Sequence, residues 1–390
     1  MHEFVLASKQ YNSSLFDYES LEKLVNQNSQ SANCSGVNLV QLHLANLLSN
    51  IGFENKFYEN EFFNSGNLLV GTLKGNTNFT ISTIGHADTV IGPENNNFRH
   101  VNNRMYGAGI ADNKSGQLIA IGGIKYYLEK KQNPNISFNF ISSPNEEVGS
   151  PGFQEKLSSL GVESDLCIGF EPALPDGSII SSRKGNYWIE ITVNGESFHS
   201  GRAAKGHMNG AMDLCRTLVN LESEFLGHSD ITMNIGTISG GNSINTICES
   251  ASALIDFRFS TFDSLDYIKS KIERLEDNFR ICRVHNKKAS LNIRTLDLCP
   301  PMDKNSKAQG FLELYKNIAG IEADVHCGGA ADINHLSSKE SVCFDGFGAV
   351  ADFMHLSKEY VEVSSLELKA ESFGRFLIIL DESLVEKKIN

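Results

Sequence analysis

Residues 79–88 read Phe79-Thr80-Ile81-Ser82-Thr83-Ile84-Gly85-His86-Ala87-Asp88, an apolar run that ends in a histidine and an aspartate. A short apolar run with turn residues at its end is typical of a buried parallel strand. The runs 136–141 and 166–170 have the same character, and glutamates follow both of them. Ligands of an open α/β sheet bind beyond the carboxyl ends of its strands. The pattern therefore predicts a mostly parallel sheet with one edge that collects imidazole and carboxylate groups.

Side chains that can bind a metal ion follow several of these runs, and one more lies far downstream. The candidates are His86, Asp88, Asp112, Glu146, Glu147, Glu171 and His355. Two histidines and several carboxylates form a ligand set for zinc or a similar divalent ion. Asp112 lies between glycines, where the backbone can bend sharply, and its two carboxylate oxygens can bridge two metal ions.

Two pairs of residues that are close in sequence indicate how such a site could catalyse a reaction. Because Glu146 and Glu147 are adjacent, their side chains diverge, so that one can bind metal while the other accepts a proton from water. His86 and Asp88 face the same side of an extended chain, so Asp88 can accept a hydrogen bond from the His86 ring and orient it. These groups suffice for amide hydrolysis without a nucleophilic serine or cysteine.

The bulk composition is that of a globular protein with more than one domain. The chain has 390 residues and a formal net charge of −13 at pH 7, and its basic residues do not cluster. A nucleic-acid or anionic-membrane partner is therefore not expected. No apolar stretch approaches the roughly 18 residues of a membrane span, and the N-terminus does not resemble a signal peptide. Eight scattered cysteines without a C-x-x-C pair favour a cytoplasmic protein with reduced thiols.

The periodicity of the chain predicts two kinds of domain. Helical periodicity runs from about residue 18 to 51, and strands then alternate with helices as far as about residue 182, which indicates an α/β domain. Between about 187 and 296 the order is strand–helix–strand–strand–helix–strand, which is typical of a ferredoxin-like domain. We therefore expect a catalytic domain at 1–183 and 296–390, with a small domain inserted at 184–295.

The order of several motifs resembles the zinc-dependent amidohydrolase and exopeptidase family that includes acetylornithine deacetylase, succinyl-diaminopimelate desuccinylase and bacterial glutamate carboxypeptidase. The matching segments are 85–90, 106–116, 145–150, 171–172, 195–199, 241–245, 256–258, 328–332 and 355–359. The similarity is greatest to the glutamate carboxypeptidase branch. It implies a mostly parallel-sheet di-metal catalytic domain and an inserted ferredoxin-like domain that serves as a lid and in dimerisation.

The resemblance also implies a role for individual residues. One metal ion would be held by His86, Asp112 and Glu171, and the other by Asp112, Glu147 and His355. Glu146 would be the general base, Asp88 would orient His86, and the Asp112–Asn113 peptide would be cis. In the inserted domain His199 would stabilise the oxyanion. The implied substrate contacts are Arg258, Asn245 and Gly329.

The sequence leaves the substrate open. Ala330 and Ala331 stand where relatives often carry a hydroxyl residue, so a substrate contact differs here. Arg258 alternates with Asp256 and could equally belong to the exposed face of a strand. We expect a metal-dependent hydrolase that cleaves an amide next to a free carboxylate, in a small peptide or an N-acyl amino acid. The alternatives are an N-acyl amino acid deacylase, a dipeptidase, and an inactive relative that binds a ligand. Two Zn²⁺ ions are the expected cofactor, although such carboxylate-rich sites also accept Co²⁺ or Mn²⁺.

Overall fold

The computed structural model of the protein describes residues 15–203, 207–277, 290–321 and 324–385. The N-terminal residues that we compared with a signal peptide lie outside these ranges. The helices are α1 (Tyr18–Asn26), α2 (Cys34–Ser49), α3 (Ser115–Lys130), α4 (Gln154–Val162), α5 (Gly210–Phe225), α6 (Phe262–Asp277), α7 (Ala308–Ala319), α8 (Ile333–Leu336) and α9 (Val363–Val385).

Strands occur between these helices along the chain. They are β1 (Glu54–Tyr58), β2 (Leu68–Leu73), β3 (Thr80–His86), β4 (Arg99–Val101), β5 (Arg104–Tyr106), β6 (Ser137–Ser143), β7 (Leu166–Gly169), β8 (Ile179–Arg183), β9 (Gly185–Asn194), β10 (Ile231–Gly240), β11 (Ser250–Phe259), β12 (Ser290–Cys299), β13 (Asp324–Cys327), β14 (Val342–Phe344), β15 (Ala351–Asp352) and β16 (Tyr360–Glu362).

The chain divides into two compact units. The first unit contains Met1–Ser181, Lys304–His326 and Ala331–Asn390, and the second contains Ser182–Asp303 and Cys327–Ala330. The second unit extends further than the inserted domain at 184–295 that we expected. Its last strand pairs with β9 as far as Cys299, and the loop 327–330 is hydrogen-bonded to the start of the same unit through Arg183.

The first unit is built on a six-stranded sheet with the order β1-β2-β6-β3-β7-β14. Strands β6, β3, β7 and β14 are parallel, while β1 and β2 are antiparallel at one edge. This confirms the α/β class and the largely parallel sheet. Nearly all residues of β3 and β7 are buried, as expected of strands with both faces covered.

The helical region that we predicted at about 18–51 consists of two helices, α1 and α2. Residues 27–33, which we call the α1–α2 linker, separate α1 from α2. The linker forms a parallel bridge between Gln30 and Thr89, just beyond the end of β3. The side chain of Asn33 then caps α2 by accepting a hydrogen bond from the Gly36 N–H. Backbone pairing with a distant strand end thus overrides the local helical preference.

The second unit contains an antiparallel sheet with the order β10-β11-β9-β12. If β9 is counted as the first strand of the unit, the spatial order is 2-3-1-4. This is the strand order of the ferredoxin-like arrangement that we predicted. Helix α5 packs on one face of the sheet, where the apolar side chains of β9 and β11 are buried. The other face is more open, and Trp188 and Leu254 are partly exposed on it. One face buried and one face open is the usual pattern for an antiparallel sheet.

Candidate metal centre

The first unit brings two groups of possible metal ligands together at the carboxyl end of its parallel strands. His86 is the last residue of β3, Glu147 follows β6 and Glu171 follows β7. The two groups, within each of which the ligand atoms lie within 4.8 Å of one another, are His86, Asp112 and Glu171, and Asp112, Glu147 and His355. Asp112 belongs to both, as expected of a bridging carboxylate.

Each carboxylate oxygen of Asp112 faces a different histidine. Its Oδ1 lies 2.8 Å from Nε2 of His86, and its Oδ2 lies 3.1 Å from Nε2 of His355. The same nitrogen of His355 is 3.1 Å from Oε2 of Glu147, and Nε2 of His86 is 3.8 Å from Oε1 of Glu171. The donor atoms therefore already converge on two neighbouring points.

The chemistry of these donors fits a pair of divalent cations. Burial raises the pKa of Glu171 well above its ordinary value, and the charge of Asp112 adds to the effect. Burial alone would lower the pKa of His86, but hydrogen bonds to Asp112 and Asp88 raise it well above its ordinary range. Hydrogen bonds to Asp112 and Glu147 raise the pKa of His355 to about 10. Without metal the cluster thus binds protons, which a bound metal ion would displace.

Access to the two groups differs. The His86 side chain is 1% exposed, whereas that of His355 is 49% exposed. His355 also has a φ of 64°, a conformation that residues other than glycine seldom adopt and that is often found at functional sites. One oxygen of Glu147, Oε1, is buried without a hydrogen-bond partner. A buried carboxylate oxygen of this kind is well suited to a metal ion.

The contacts of Asp88 differ from the one that we predicted, a hydrogen bond from the His86 ring to its carboxylate. Nδ1 of His86 lies 3.0 Å from the backbone oxygen of Asp88 but 3.4 Å from its carboxylate. The carboxylate instead accepts hydrogen bonds from the backbone N–H groups of Glu146, at 3.0 Å, and of Glu147, at 3.2 Å. Ser31 in the α1–α2 linker donates a third hydrogen bond to it, at 2.6 Å. Asp88 therefore contacts both the histidine and the glutamate pair.

Two buried carboxylates that the sequence did not single out hold other ligand-bearing loops. Glu359 accepts hydrogen bonds from the N–H groups of Gly109, Ala111 and Asp112. Asp345 accepts one from the N–H of Glu171, at 3.1 Å. Glu359 ends a motif that begins at His355, which was a weak signal, whereas nothing in the sequence marks Asp345. The Asp112–Asn113 peptide is cis, which confirms the prediction from the resemblance.

The remaining predicted site residues lie in the second unit. His199 is exposed, and its Nδ1 accepts a hydrogen bond from the Gly201 N–H at 3.2 Å. In the neutral ring Nε2 then carries the hydrogen and is available as a donor. The Ser200 N–H donates to the backbone oxygen of Asn245, so the His199 and Asn245 segments are adjacent.

Arg258 and Gly329 are each engaged by a neighbour within the second unit. Nε of Arg258 donates to both carboxylate oxygens of Asp256, at 2.9 and 3.0 Å. The backbone oxygen of Gly329 accepts a hydrogen bond from Arg183 at 3.0 Å. Arg183 is largely buried and was not recognised from the sequence, because a single arginine after a strand carries no motif.

The sequence profile of peptidase family M20/M25/M40 matches residues 83–378. The chain belongs to this family. The match spans all the donor residues of the two groups and makes the protein a metal-dependent hydrolase of the metallopeptidase and amidohydrolase class. It also confirms the resemblance that the motifs suggested. No helix among the described residues is long and apolar enough to cross a membrane.

Several relatives within the family are similar over much of the chain. Carboxypeptidase G2 of Pseudomonas sp. (strain RS-16) is 24% identical over 93% of this chain and 88% of its own length. Acetylornithine deacetylase of Buchnera aphidicola is 28% identical over 59% of this chain and 64% of its own length. Succinyl-diaminopimelate desuccinylase of Nitrosospira multiformis is 26% identical over 78% of this chain and 83% of its own length.

Solved structures share the fold. Aminopeptidase PepT of Bacillus cereus superposes with a TM-score of 0.75 at 18% identity, covering 93% of this chain and 99% of that one. The YXEP protein of Bacillus subtilis, described as a dinuclear metal-binding peptidase of family M20, superposes with a TM-score of 0.66 at 15% identity, covering 93% and 97%.

Proposed function

We propose that the protein hydrolyses an amide bond adjacent to a free carboxylate, in a small peptide or an N-acyl amino acid. The observation that carries this proposal is the pair of donor groups that share Asp112 beside Glu146, which belongs to neither group. Similarity to carboxypeptidase G2 over 93% of the chain favours a carboxypeptidase-like reaction, with glutamate as the first released amino acid to test.

In this proposal His86, Asp112 and Glu171 hold one divalent ion, and Asp112, Glu147 and His355 hold the other. Zinc is the first candidate, since imidazole and carboxylate ligands suit it, and such ligands also accept cobalt or manganese. When bound, the two ions would polarise the scissile carbonyl and increase the acidity of water.

Glu146 is the proposed general base. Burial raises the pKa of Glu146 well above the ordinary glutamate value, which makes its carboxylate a stronger proton acceptor than that of an exposed glutamate. In this role Glu146 takes a proton from the attacking water and later delivers it to the leaving nitrogen. By the family resemblance, His199 donates a hydrogen bond to the oxyanion, and Arg258, Asn245 and Gly329 contact the substrate.

A second candidate is an N-acyl amino acid deacylase, which the 28% identity to acetylornithine deacetylase favours. The two candidates use the same reaction and differ in which part of the substrate is recognised. An inactive relative that only binds a ligand is the alternative from another class. The presence of Glu146 beside a full set of donor residues argues against it, because a binding protein has no use for a general base.

We also propose a cytoplasmic homodimer. The scattered cysteines favour a reducing compartment. In the second unit β10 is an edge strand, and most of its side chains are at least partly exposed. An unpaired edge strand can add to the same strand of a second copy across a two-fold axis.

The test is a hydrolysis screen of N-acyl amino acids and dipeptides with the zinc-loaded protein. We expect two metal ions per chain by elemental analysis and turnover of substrates that carry a free carboxylate. Glu146→Gln should keep both ions but lose about 10²–10⁴-fold in kcat, because glutamine cannot accept the proton. Glu155→Gln, at an exposed position in α4, is the matched control and should remain active.

Three results would contradict the proposal. One is a saturating metal content of a single ion or none. Another is an absence of turnover when both ions are bound, which would favour the ligand-binding alternative. The third is near-normal kcat in Glu146→Gln, which would remove Glu146 from the role of base.

A further inference from the structure

We propose that Ser31 is a positioning residue for the Glu146–Glu147 turn and acts through the carboxylate of Asp88. This inference rests on the proposed function, in which Glu146 and Glu147 have different tasks. It assigns a role to the α1–α2 linker, a segment that contains no metal-ligand candidate and that the sequence pattern predicted to be helical.

The linker is fixed against the residues that follow β3. The Ser31 N–H donates to the backbone oxygen of Thr89 at 3.3 Å, and the Thr89 N–H donates to the backbone oxygen of Ser29 at 3.0 Å. Within the linker, the side chain of Asn28 accepts a hydrogen bond from the Gln30 N–H at 3.1 Å. These contacts hold the backbone at Ser31 beside the residues that follow β3.

The Asp88 carboxylate connects Ser31 to the Glu146–Glu147 turn. Asp88 is completely buried. Its Oδ2 accepts hydrogen bonds from the Ser31 hydroxyl, at 2.6 Å, and from the Glu147 N–H, at 3.2 Å, while its Oδ1 accepts from the Glu146 N–H at 3.0 Å. A hydroxyl–carboxylate bond of this length is typical of the charge-assisted kind, which is stronger than a neutral one. The hydroxyl thus sets where the carboxylate lies, and the carboxylate sets where the two N–H groups lie.

The position of this turn affects both glutamates at once. Glu146 and Glu147 leave the same short turn in different directions, so a shift of the backbone displaces the proposed base and a proposed metal ligand together. A misplacement of about 1 Å can cost roughly 10²-fold in rate. A hydrogen bond that limits such shifts therefore bears on turnover more than on substrate affinity.

The first measurement uses metal-free protein and does not depend on activity. Hydrogen–deuterium exchange of the peptide covering 144–149 reports the Glu146 and Glu147 amides. Ser31→Ala should speed their exchange roughly tenfold, which is the scale of one hydrogen bond to a charged group. Ser31→Thr keeps the hydroxyl and should restore the slow exchange. Ser35→Ala is the control, since Ser35 is exposed in the first turn of α2 and its hydroxyl contacts Asn33.

The second measurement is a double-mutant cycle in the zinc-loaded enzyme. Ser31→Ala should lower kcat about tenfold with KM within about twofold, and Ser35→Ala should change neither. Asp88→Asn should lower kcat further, and adding Ser31→Ala to Asp88→Asn should cause no additional loss. Thermal denaturation of each variant shows whether it is folded.

Unchanged exchange at 144–149 in folded Ser31→Ala would overturn the inference, as would a loss in kcat that simply multiplies with that of Asp88→Asn. Failure of the proposed function has a separate signature. If the unaltered, zinc-loaded protein hydrolyses nothing in the screen, the proposed function fails, whereas the exchange measurement still decides whether Ser31 positions the turn.

Discussion

At the scale of single residues, buried carboxylates that are not themselves ligands hold the loops that carry the ligands. Glu359 binds the backbone around Asp112, Asp88 binds the turn of Glu147, and Asp345 binds the N–H of Glu171. Backbone N–H groups stabilise a charged carboxylate without adding a cationic side chain that would compete with a metal ion. Burial raises the pKa of Glu359 to about 7, and its three backbone hydrogen bonds oppose that shift.

Lys369 provides a test of a buried charge away from the metal centre. Its ammonium group donates to the backbone oxygens of Gly177 and Gly346, at 3.1 and 3.4 Å. Burial lowers the pKa of Lys369 to about 8, although the charge of Asp176 opposes the shift. The unfolded chain, with a pKa near 10.5, binds more protons than the folded one between these values. The free energy of unfolding should therefore rise as the pH increases from about 8 to about 10.5.

Lys369→Met removes this contribution. A pKa difference of this size corresponds to about 3 kcal/mol, so the unaltered protein should gain about that much more than the variant between pH 7.5 and 10.5. Urea denaturation of both proteins at the two pH values measures the difference. Parallel pH dependences would show that the ammonium group is not desolvated as described.

At the scale of elements, the contact between α3 and α9 requires a glycine. A Cβ atom on Gly123 would lie 2.6 Å from Cδ1 of Phe373 and 3.0 Å from the backbone oxygen of Ala370. Alanine favours a helix over glycine by about 1 kcal/mol, but overpacking of this kind costs about 1–3 kcal/mol. Because the neighbours are a buried ring and a backbone atom, steric repulsion should outweigh helix propensity.

We therefore expect Gly123→Ala to lower the free energy of unfolding by about 1–2 kcal/mol. The control is Gly310→Ala in α7, where an added Cβ meets nothing within 4 Å. That substitution should stabilise the protein by roughly 0.5–1 kcal/mol, because only the propensity effect remains. Denaturant titrations compare the two, and stabilisation by both substitutions would mean that α3 and α9 are not closely packed at Gly123.

At the scale of the whole molecule, the groups assigned to catalysis are divided between the two units. The candidate metal ligands all belong to the first unit, while His199 belongs to the second, which has its own hydrophobic core. Removal of His199 should therefore leave metal binding intact. Its expected effect is on turnover, since an oxyanion contact is made in the transition state.

His199→Ala should lower kcat by about 10²–10³-fold at unchanged metal content. His228→Ala is a suitable control, because His228 is also an exposed histidine of the second unit and packs beside Tyr267. Steady-state kinetics and metal analysis of both variants provide the comparison. Normal turnover by His199→Ala would exclude its proposed role.

The sequence by itself determined the architecture and the candidate ligands. Apolar runs identified the parallel strands, and His86, Glu147 and Glu171 could be placed at one edge because each lies at or just after the end of a strand. The ferredoxin-like order of strands and helices could also be predicted, since the alternation of apolar and polar residues and helical periodicity are local properties of the chain. The cis peptide after Asp112 came from the family resemblance alone.

Only the tertiary structure decided how these ligands are held. The sequence did not show the break between α1 and α2. It also did not show the hydrogen bond from Ser31 to Asp88 or those from three N–H groups to Glu359, which connect residues far apart in the chain. Single polar residues in loops have no periodicity, so no sequence pattern marks them. Their partners are determined when packing brings the strand ends together, because a buried carboxylate must then find its donors among the backbone groups that surround it.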